Sequence, residues 1–282
     1  MYSVVPIDRV EHPTASEFDR RAASVRPFVI ECATQHWKAL DQWTPAYLMA
    51  RAGTAPVPVL KVAEGGPDGK FFYGGDVAGV VKFADCLSLL VGAPARVYGA
   101  GIPIAEYLPM LADDFGRLDF MSEDRQKRSQ IWISGRNSKG PLHYDMDDNI
   151  HVVVAGRKRF RMFEYAQTRN LYPCPMFSAT PHYCRVDAHE PDLDRFPRFR
   201  QAQGYDVTLE RGAMVYIPHG CWHQVLTEEP SVAINFWLGK RFFRRSMWRI
   251  LANQSVLLSA RAATTSWRAI AASARRLGAV PR

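Results

Sequence analysis

The stretch GPLHYDMDDNIHVVVAGRKRF, residues 140–160, holds two possible metal ligands two residues apart and a lysine further along a strand-like run. In a β-strand, residues i and i+2 point to the same side, so His143 and Asp145 are expected to project together. A third ligand has to come from elsewhere, and His223, which follows a predicted strand and turn in IPHGCWHQVL, is the candidate. Two histidines and a carboxylate on one face of an ion are typical of non-haem Fe(II) oxygenases. The alternative is that all three are ordinary polar residues.

Lys158 is the second feature of this stretch. It alternates with arginines in GRKRFRMF and shares its predicted strand face with Phe160 and Met162, while the arginines are expected to face water. A buried lysine without a partner is costly, so an inward Lys158 needs an anion, which a dicarboxylate co-substrate would supply. The alternative is that Lys158 lies at the start of its strand and reaches solvent. The strand pattern alone favours neither.

His151 has the same alternation parity as His143 and Asp145. A β-bulge or a core histidine with satisfied hydrogen bonds is favoured there over a fourth metal ligand. Tyr144 and Met146 have the opposite parity and are expected to pack in the core.

The composition limits which classes of protein the chain can belong to. The chain has 282 residues, 47% of them hydrophobic, which is enough for one large domain or one domain with appendages. No apolar run is long enough to span a bilayer and the N-terminus lacks the pattern of a secretory signal, so we expect a cytoplasmic protein without membrane insertion. Five cysteines without CxxC spacing argue against a disulfide framework and a four-thiolate zinc site.

The net positive charge of the chain is concentrated at its C-terminus. Residues 240–282 hold ten Lys or Arg and no acidic residue, and removing these ten positive charges from the net +8 leaves about −2 for the rest. Apolar residues recur at helical spacing between the arginines. This tail is predicted to be helical and to form a homodimer interface, with an RNA-binding surface and an amphipathic membrane-surface helix as alternatives.

The secondary-structure pattern changes along the chain. Strands are predicted near residues 26–33, 56–64 and 96–104, with helices from Pro45, where Thr44 is the N-cap, and over 78–92. From residue 130 onward, closely spaced strands without intervening helices indicate an antiparallel sandwich or barrel. Residues 164–204 are a long connection rich in Pro and Asp, and such loops are often functional.

The run from Trp132 to Trp237 resembles the JmjC-type, cupin-like 2-oxoglutarate dioxygenases. The matching segments are LHYDMDDN, AGRKRFRMF, VDAHEPDLDRFPRF, GAMVYIPHGCWH and INFW. The resemblance implies a mainly β fold with α-helices: a double-stranded β-helix (cupin/jelly-roll) core. We expect an N-terminal α/β extension over residues 1–95, the core over 96–239 and the basic helical segment over 240–282.

The resemblance also implies roles for individual residues. The matched iron ligands are His143, Asp145 and His223. Those matched to the binding of 2-oxoglutarate are Lys158, which pairs with its C5 carboxylate, and Tyr98, Asn149 and Asn235. Gly140 departs from the family, in which Thr or Ser often stands three residues before the first ligand.

The implied cofactors are Fe(II), 2-oxoglutarate and O2, and the implied reaction is hydroxylation of an unactivated C–H bond. The substrate is expected to be an amino-acid side chain in a peptide or protein, or a small-molecule biosynthetic intermediate. Hydroxylation of a modified RNA base, as by the tRNA wybutosine hydroxylases, and a non-catalytic metal-binding cupin are the alternatives.

Overall fold

The structure is a computed structural model that describes residues 2–61, 77–92, 97–175, 178 and 180–239. For a few residues that border the gaps, Tyr98 among them, the description covers the backbone. The tail, residues 240–282, lies outside the described residues, so the predictions of a helical segment, a dimer interface and an RNA surface stay predictions. The proposed division at residues 95/96 also stays a prediction.

Strands dominate the described residues. They are β1 Ser3–Val4, β2 Asp8–Glu11, β3 Phe28–Glu31, β4 Pro56–Lys61, β5 Val77–Lys82, β6 Val97–Pro103, β7 Gln126–Ser134, β8 Asp148–Phe163, β9 Gln203–Leu209, β10 Met214–Ile217 and β11 Trp222–Leu238. The α-helices are α1 Ala15–Ala22, α2 Lys38–Gln42, α3 Pro45–Ala52, α4 Phe83–Leu87 and α5 Ile104–Tyr107. Short 3-10 turns cover Ser88–Val91, Pro109–Asp114, Glu123–Arg125, Tyr165–Asn170 and Pro197–Gln201.

Two long strands, β8 and β11, organise the core. They pair antiparallel along almost their whole length, and the sheet order is β2-β3-β10-β8-β11-β7-β6-β4-β5, with β9 paired to β8 and β1. The first half of β8 lies between β10 and β11, whereas its second half lies between β9 and β11. The ribbon therefore contributes to two facing layers with a cavity between them. The predicted mainly β, double-stranded β-helix core is confirmed.

The bend of β8 depends on Gly156. Its φ is +77°, a left-handed value that favours glycine, and a Cβ there would lie 2.1 Å from the carbonyl oxygen of Pro230. The pairing of β8 with β11 shifts register around this point, between Thr227 and Val232. Residues before the bend and residues after it thus face one another across the cavity, which brings His151 and Lys158 into one site.

The structure corrects two local predictions. Residues 78–92 are not one helix, since residues 77–82 form β5, which pairs with β4, before α4 begins at Phe83. The run that begins with Leu142 is not one strand either. His143 forms an isolated antiparallel bridge with His223, and β8 begins only at Asp148. Pairing with distant strands decided both outcomes.

The predicted cap at Thr44 and the predicted core position of Tyr144 are confirmed. The Thr44 hydroxyl accepts a hydrogen bond from the Tyr47 amide at 3.2 Å and so caps α3, which ends before Gly53. Trp222 is fully buried and its ring packs edge-on against Tyr144, with the centroids 4.6 Å apart. Among the described residues, no helix is both long and apolar enough to cross a membrane.

Candidate metal centre

The structure brings His143, Asp145 and His223 together. One potential ligand atom from each lies within 4.8 Å of the others. The Nε2 atom of His223 is 3.5 Å from one Asp145 carboxylate oxygen, and the Nε2 atom of His143 is 3.9 Å from the other. This donor set of two nitrogens and one oxygen is the set expected for Fe(II) with open coordination positions.

Backbone carbonyls orient both imidazole rings. Nδ1 of His143 lies 2.9 Å from the carbonyl oxygen of Pro141, and Nδ1 of His223 lies 3.0 Å from that of Cys221. Because a carbonyl only accepts, each Nδ1 carries the proton and each Nε2 keeps its lone pair for a metal. Burial, reinforced by His143, lowers the pKa of His223 to about 4, so His223 is neutral at pH 7.

The backbone also holds the three residues in register. His143 and His223 exchange two backbone hydrogen bonds, at 2.6 and 3.0 Å, across the isolated bridge. The amide of Gly220 donates to the carbonyl oxygen of Asp145 at 2.9 Å. The turn that precedes β11 therefore holds Asp145, and the first residues of β11 hold His143. These contacts place both residues beside His223, which lies about 80 residues further along the chain.

Lys158 is buried, with an exposed fraction of 2%, and lines the same cavity. Its Nζ donates a hydrogen bond to the Ser134 hydroxyl at 3.1 Å, and no carboxylate of the described residues lies within salt-bridge distance. Burial lowers its pKa from 10.5 to about 7. The structure thus decides between the two alternatives that the strand pattern left open: Lys158 faces inward, and an anion in the cavity would stabilise its charged form.

The cavity has a volume of about 160 Å³ and contains both the metal ligands and Lys158. Asn149 and Asn235, the two predicted pocket asparagines, also line it, and each has a buried side-chain oxygen without a hydrogen-bond partner among the described residues. The apolar walls are Trp132, Phe160, Tyr183, Ile217, Val225 and Trp237. A buried cation inside an apolar shell fits a small dicarboxylate bound beside the metal.

Tyr98 and Gly140 differ from the other predicted site residues in what the structure describes of them. The backbone of Tyr98 lies in β6, where it pairs with Leu60, but its side chain is outside the described residues, so its role stays a prediction. Gly140 lines the cavity, its carbonyl oxygen accepts a hydrogen bond from Gln224 at 2.8 Å, and a Cβ there would meet nothing within 4 Å. The glycine at position 140, where related proteins often have Thr or Ser, therefore leaves open space in the cavity wall.

The prediction that all arginines of GRKRFRMF face water is wrong for Arg161. It is buried, with an exposed fraction of 6%, pairs with Asp206 at 3.2 Å and donates to the carbonyl oxygen of Ala188. The loop between β8 and β9 covers this face of the strand, so Arg161 finds one acceptor in the loop, at Ala188, and the other in β9, at Asp206. Lys139 anchors the same loop through ion pairs with Asp187 and Glu190.

Sequence reasoning missed several pocket residues. His151, which was expected to be a satisfied core histidine, lines the cavity, and so do Thr227 and Trp132. The parity of His151 with the metal ligands was the available signal. Thr227 could be found only from register, because it lies opposite Lys158 in the pairing of β8 with β11.

Comparisons with known proteins agree with this geometry. The family described as "Cupin-like domain" matches residues 14–242. "Lysine-specific demethylase 8" of Xenopus tropicalis is 27% identical over 83% of this chain and 53% of its own length, and "Jumonji C domain-containing protein 5" of Drosophila melanogaster is 29% identical over 82% and 59%. "Bifunctional peptidase and (3S)-lysyl hydroxylase JMJD7" of Homo sapiens is 26% identical over 75% and 77%. The chain thus spans little more than half the length of the first two relatives.

Proposed function

The chain belongs to the cupin-like, JmjC-type family of Fe(II)- and 2-oxoglutarate-dependent oxygenases, and from that premise we propose that it hydroxylates a C–H bond of an amino-acid side chain in a peptide or protein. The observation that carries the proposal is one cavity that holds His143, Asp145 and His223 at one place and the buried Lys158 at another. The names of two relatives, a lysine demethylase and a lysyl hydroxylase, favour a peptide-borne side chain over a small molecule.

Each side chain has a defined task in this proposal. His143, Asp145 and His223 would hold Fe(II), and the charged Lys158 would hold one carboxylate of 2-oxoglutarate with help from the Thr227 hydroxyl on the facing strand. When bound, the iron with 2-oxoglutarate and O2 supplies the oxidising power for hydroxylation, and the co-substrate leaves as succinate and CO2. The apolar walls, among them Trp132 and Trp237, exclude water from the reacting atoms.

The test is release of succinate from 2-oxoglutarate by the full chain with Fe(II) and O2, followed by mass spectrometry of a peptide library for a gain of one oxygen atom. We expect succinate release that a subset of peptides stimulates. Stimulation by small molecules or RNA alone would contradict the peptide substrate. Absence of succinate with every substrate class would leave the alternative of a non-catalytic metal-binding cupin.

Binding of 2-oxoglutarate is expected to weaken as the pH rises above 7. Because burial lowers the pKa of Lys158 to about 7, the free protein has a charged Lys158 below that pH and a neutral one above it. The dicarboxylate binds the charged form, so the Kd should be lowest near pH 6 and should rise about tenfold by pH 8. The groups that face Lys158 are His151, Ser134 and Thr227, none of which is acidic.

The measurement is calorimetric titration of 2-oxoglutarate into protein kept saturated with Mn(II) at each pH, so that metal loading does not vary. The variant Lys158→Met is the control and should show no such pH dependence. A wild-type Kd that stays constant between about pH 6 and pH 8 would contradict the assignment of Lys158 as the residue that pairs with the carboxylate.

A further inference from the structure

Asp148 and His219 form a buried pair outside the cavity lining, and the exposed fraction of each side chain is 1%. One carboxylate oxygen, Oδ1 of Asp148, accepts two hydrogen bonds from His219, from Nδ1 at 2.7 Å and from the backbone amide at 2.8 Å. Because a carboxylate oxygen only accepts, Nδ1 carries the proton in this contact. The side chain and the backbone of His219 are therefore both held by one acceptor.

The pair joins the first residue of β8 to the turn between β10 and β11, and this turn contacts two of the metal ligands. The amide of Gly220 donates to the carbonyl oxygen of Asp145 at 2.9 Å. The carbonyl oxygen of Cys221 lies 3.0 Å from Nδ1 of His223 and accepts its proton. Both contacts are made by the two residues that directly follow His219, so the position of His219 decides where they lie.

The segment that carries Asp145 is fastened to this turn at two points. One is the hydrogen bond from Gly220 to the carbonyl oxygen of Asp145, and the other is the pair of Asp148 with His219. Two contacts between the same two short segments fix their relative orientation, which a single hydrogen bond would leave free to rotate. Because Asp145 lies on one segment and His223 directly follows the other, the two contacts set how the carboxylate and the imidazole face each other.

Stability alone does not account for a buried charged pair at this place. Moving a carboxylate out of water is costly, and apolar residues of similar size often stabilise a protein as well or better. Neither Asp148 nor His219 lines the cavity or belongs to the three-residue metal-binding group. The hydroxyl of Tyr216 donates a further hydrogen bond to Asp148. The pair is thus part of a directional polar contact in the core, which orients the turn in a way that apolar packing would not.

We propose that Asp148 and His219 are positioning residues of the metal centre: their hydrogen-bonded pair holds the turn before β11 in the conformation in which it orients Asp145 and His223 toward one divalent cation. This inference rests on the proposed function and deepens it, because the cation is the one that the oxygenase reaction requires. Neither residue touches the cation, and both act through the backbone of the turn.

The test is titration of Mn(II) into the full chain without 2-oxoglutarate, a binding measurement that needs no turnover. His219→Leu removes the Nδ1 donor and keeps the backbone amide, whereas Asp148→Ala removes the acceptor of both. We expect each of these variants to raise the Kd of Mn(II) by at least about tenfold, the lower end of the effect typical of residues that orient metal ligands. His219→Asn, which places its side-chain amide near the position of Nδ1, should stay within about threefold of wild type.

Asp114 provides the matched control of a buried carboxylate remote from the cavity. Its Oδ2 atom accepts from Nε1 of Trp43 and from the hydroxyl of Tyr47, both at 2.9 Å, and its exposed fraction is 5%. Asp114→Ala and Asp148→Ala each remove a buried acceptor, so both should lower the melting temperature of the free protein. Asp148→Ala alone should weaken Mn(II) binding, and Asp114→Ala should keep the Kd within about threefold of wild type.

The outcomes separate this proposal from the proposed function. Metal binding is compared well below the melting temperature of each variant, and His219→Leu carries the test if Asp148→Ala does not fold. A wild-type Mn(II) affinity in His219→Leu overturns the proposal and leaves the proposed function standing. An equal loss in Asp114→Ala, which would indicate general destabilisation, or in His219→Asn also overturns it. If the wild-type chain itself binds no Mn(II), the proposed function fails as well.

Discussion

Replacement of Asp145 by alanine is expected to lower release of succinate from 2-oxoglutarate by at least about 100-fold. Asp145 is the one carboxylate in the group, and without it two neutral imidazoles face a dication with no charge to balance it. Even residues that only orient metal ligands typically change affinity or activity 10- to 100-fold when they are replaced, and loss of a ligand is expected to cost more. The metal affinity, measured by Mn(II) titration, should fall in parallel.

The chain offers a matched control for this variant in Asp147. It lies two residues further along the same turn, outside the cavity lining, and its carboxylate is 3.5 Å from Nζ of Lys127 in a partly exposed ion pair. Asp147→Ala should therefore keep succinate release and metal affinity within about threefold of wild type, since exposed ion pairs contribute little. Equal losses in both variants would contradict a specific role of Asp145, as would an Asp145→Ala protein that retains succinate release within tenfold.

Lys158→Met is expected to have two opposite effects. The Kd of 2-oxoglutarate should rise about 30-fold or more, because a buried carboxylate would lose its charged partner. The free protein should become more stable by about 1 to 4 kcal/mol, because an apolar side chain of similar length replaces a cation in a site that depresses its pKa. Titration calorimetry measures the first effect, and the melting temperature without ligand measures the second.

Arg157 provides the comparison for Lys158. It is the preceding residue on the same strand, with a side chain that is 39% exposed and ion-paired with Glu228 and Glu229 at the surface. Arg157→Met should leave 2-oxoglutarate binding unchanged and should not stabilise the protein. If Lys158→Met instead destabilises the free protein and binds 2-oxoglutarate as wild type does, Lys158 is a structural residue and its assignment as the anion partner is wrong.

Lys158→Met is expected to weaken 2-oxoglutarate binding and to stabilise the free protein. These two effects together indicate that the side chain of Lys158 serves ligand binding and not stability. A buried ammonium with one hydroxyl partner is unfavourable in the free protein, and the same ammonium becomes favourable when a carboxylate enters the cavity. Positions that violate the rules of core packing are expected at functional sites, and the buried Lys158 is one of them.

Much of the candidate site could be predicted from local sequence. The spacing of His143 and Asp145, the distant His223 and the alternation around Lys158 all follow from residue type and position. The short strands after residue 130 indicated an all-β core, because strand periodicity and turn residues are local properties. The helix capped by Thr44 was predictable for the same reason.

The rest could not be predicted because it depends on contacts between segments far apart in sequence. Residues 77–82 form a strand through pairing with β4, and Arg161 is buried because a distant loop covers it. His151 looked like a core histidine, and its place in the cavity wall becomes apparent only when β10 and β11 are placed beside it. Local pattern gives the face of a strand, but not what lies opposite that face.

Residue type and spacing predict which side chains can bind a metal and an anion, because ligand chemistry and strand alternation are local properties. Contacts between distant segments turn Lys158 inward and bring His151 into the same cavity. The physical reason is the bend at Gly156, where the carbonyl of Pro230 leaves no room for a Cβ and the two halves of β8 come to face one another. The long-range pairing of β8 with β11 fixes that geometry, and no short stretch of sequence contains it.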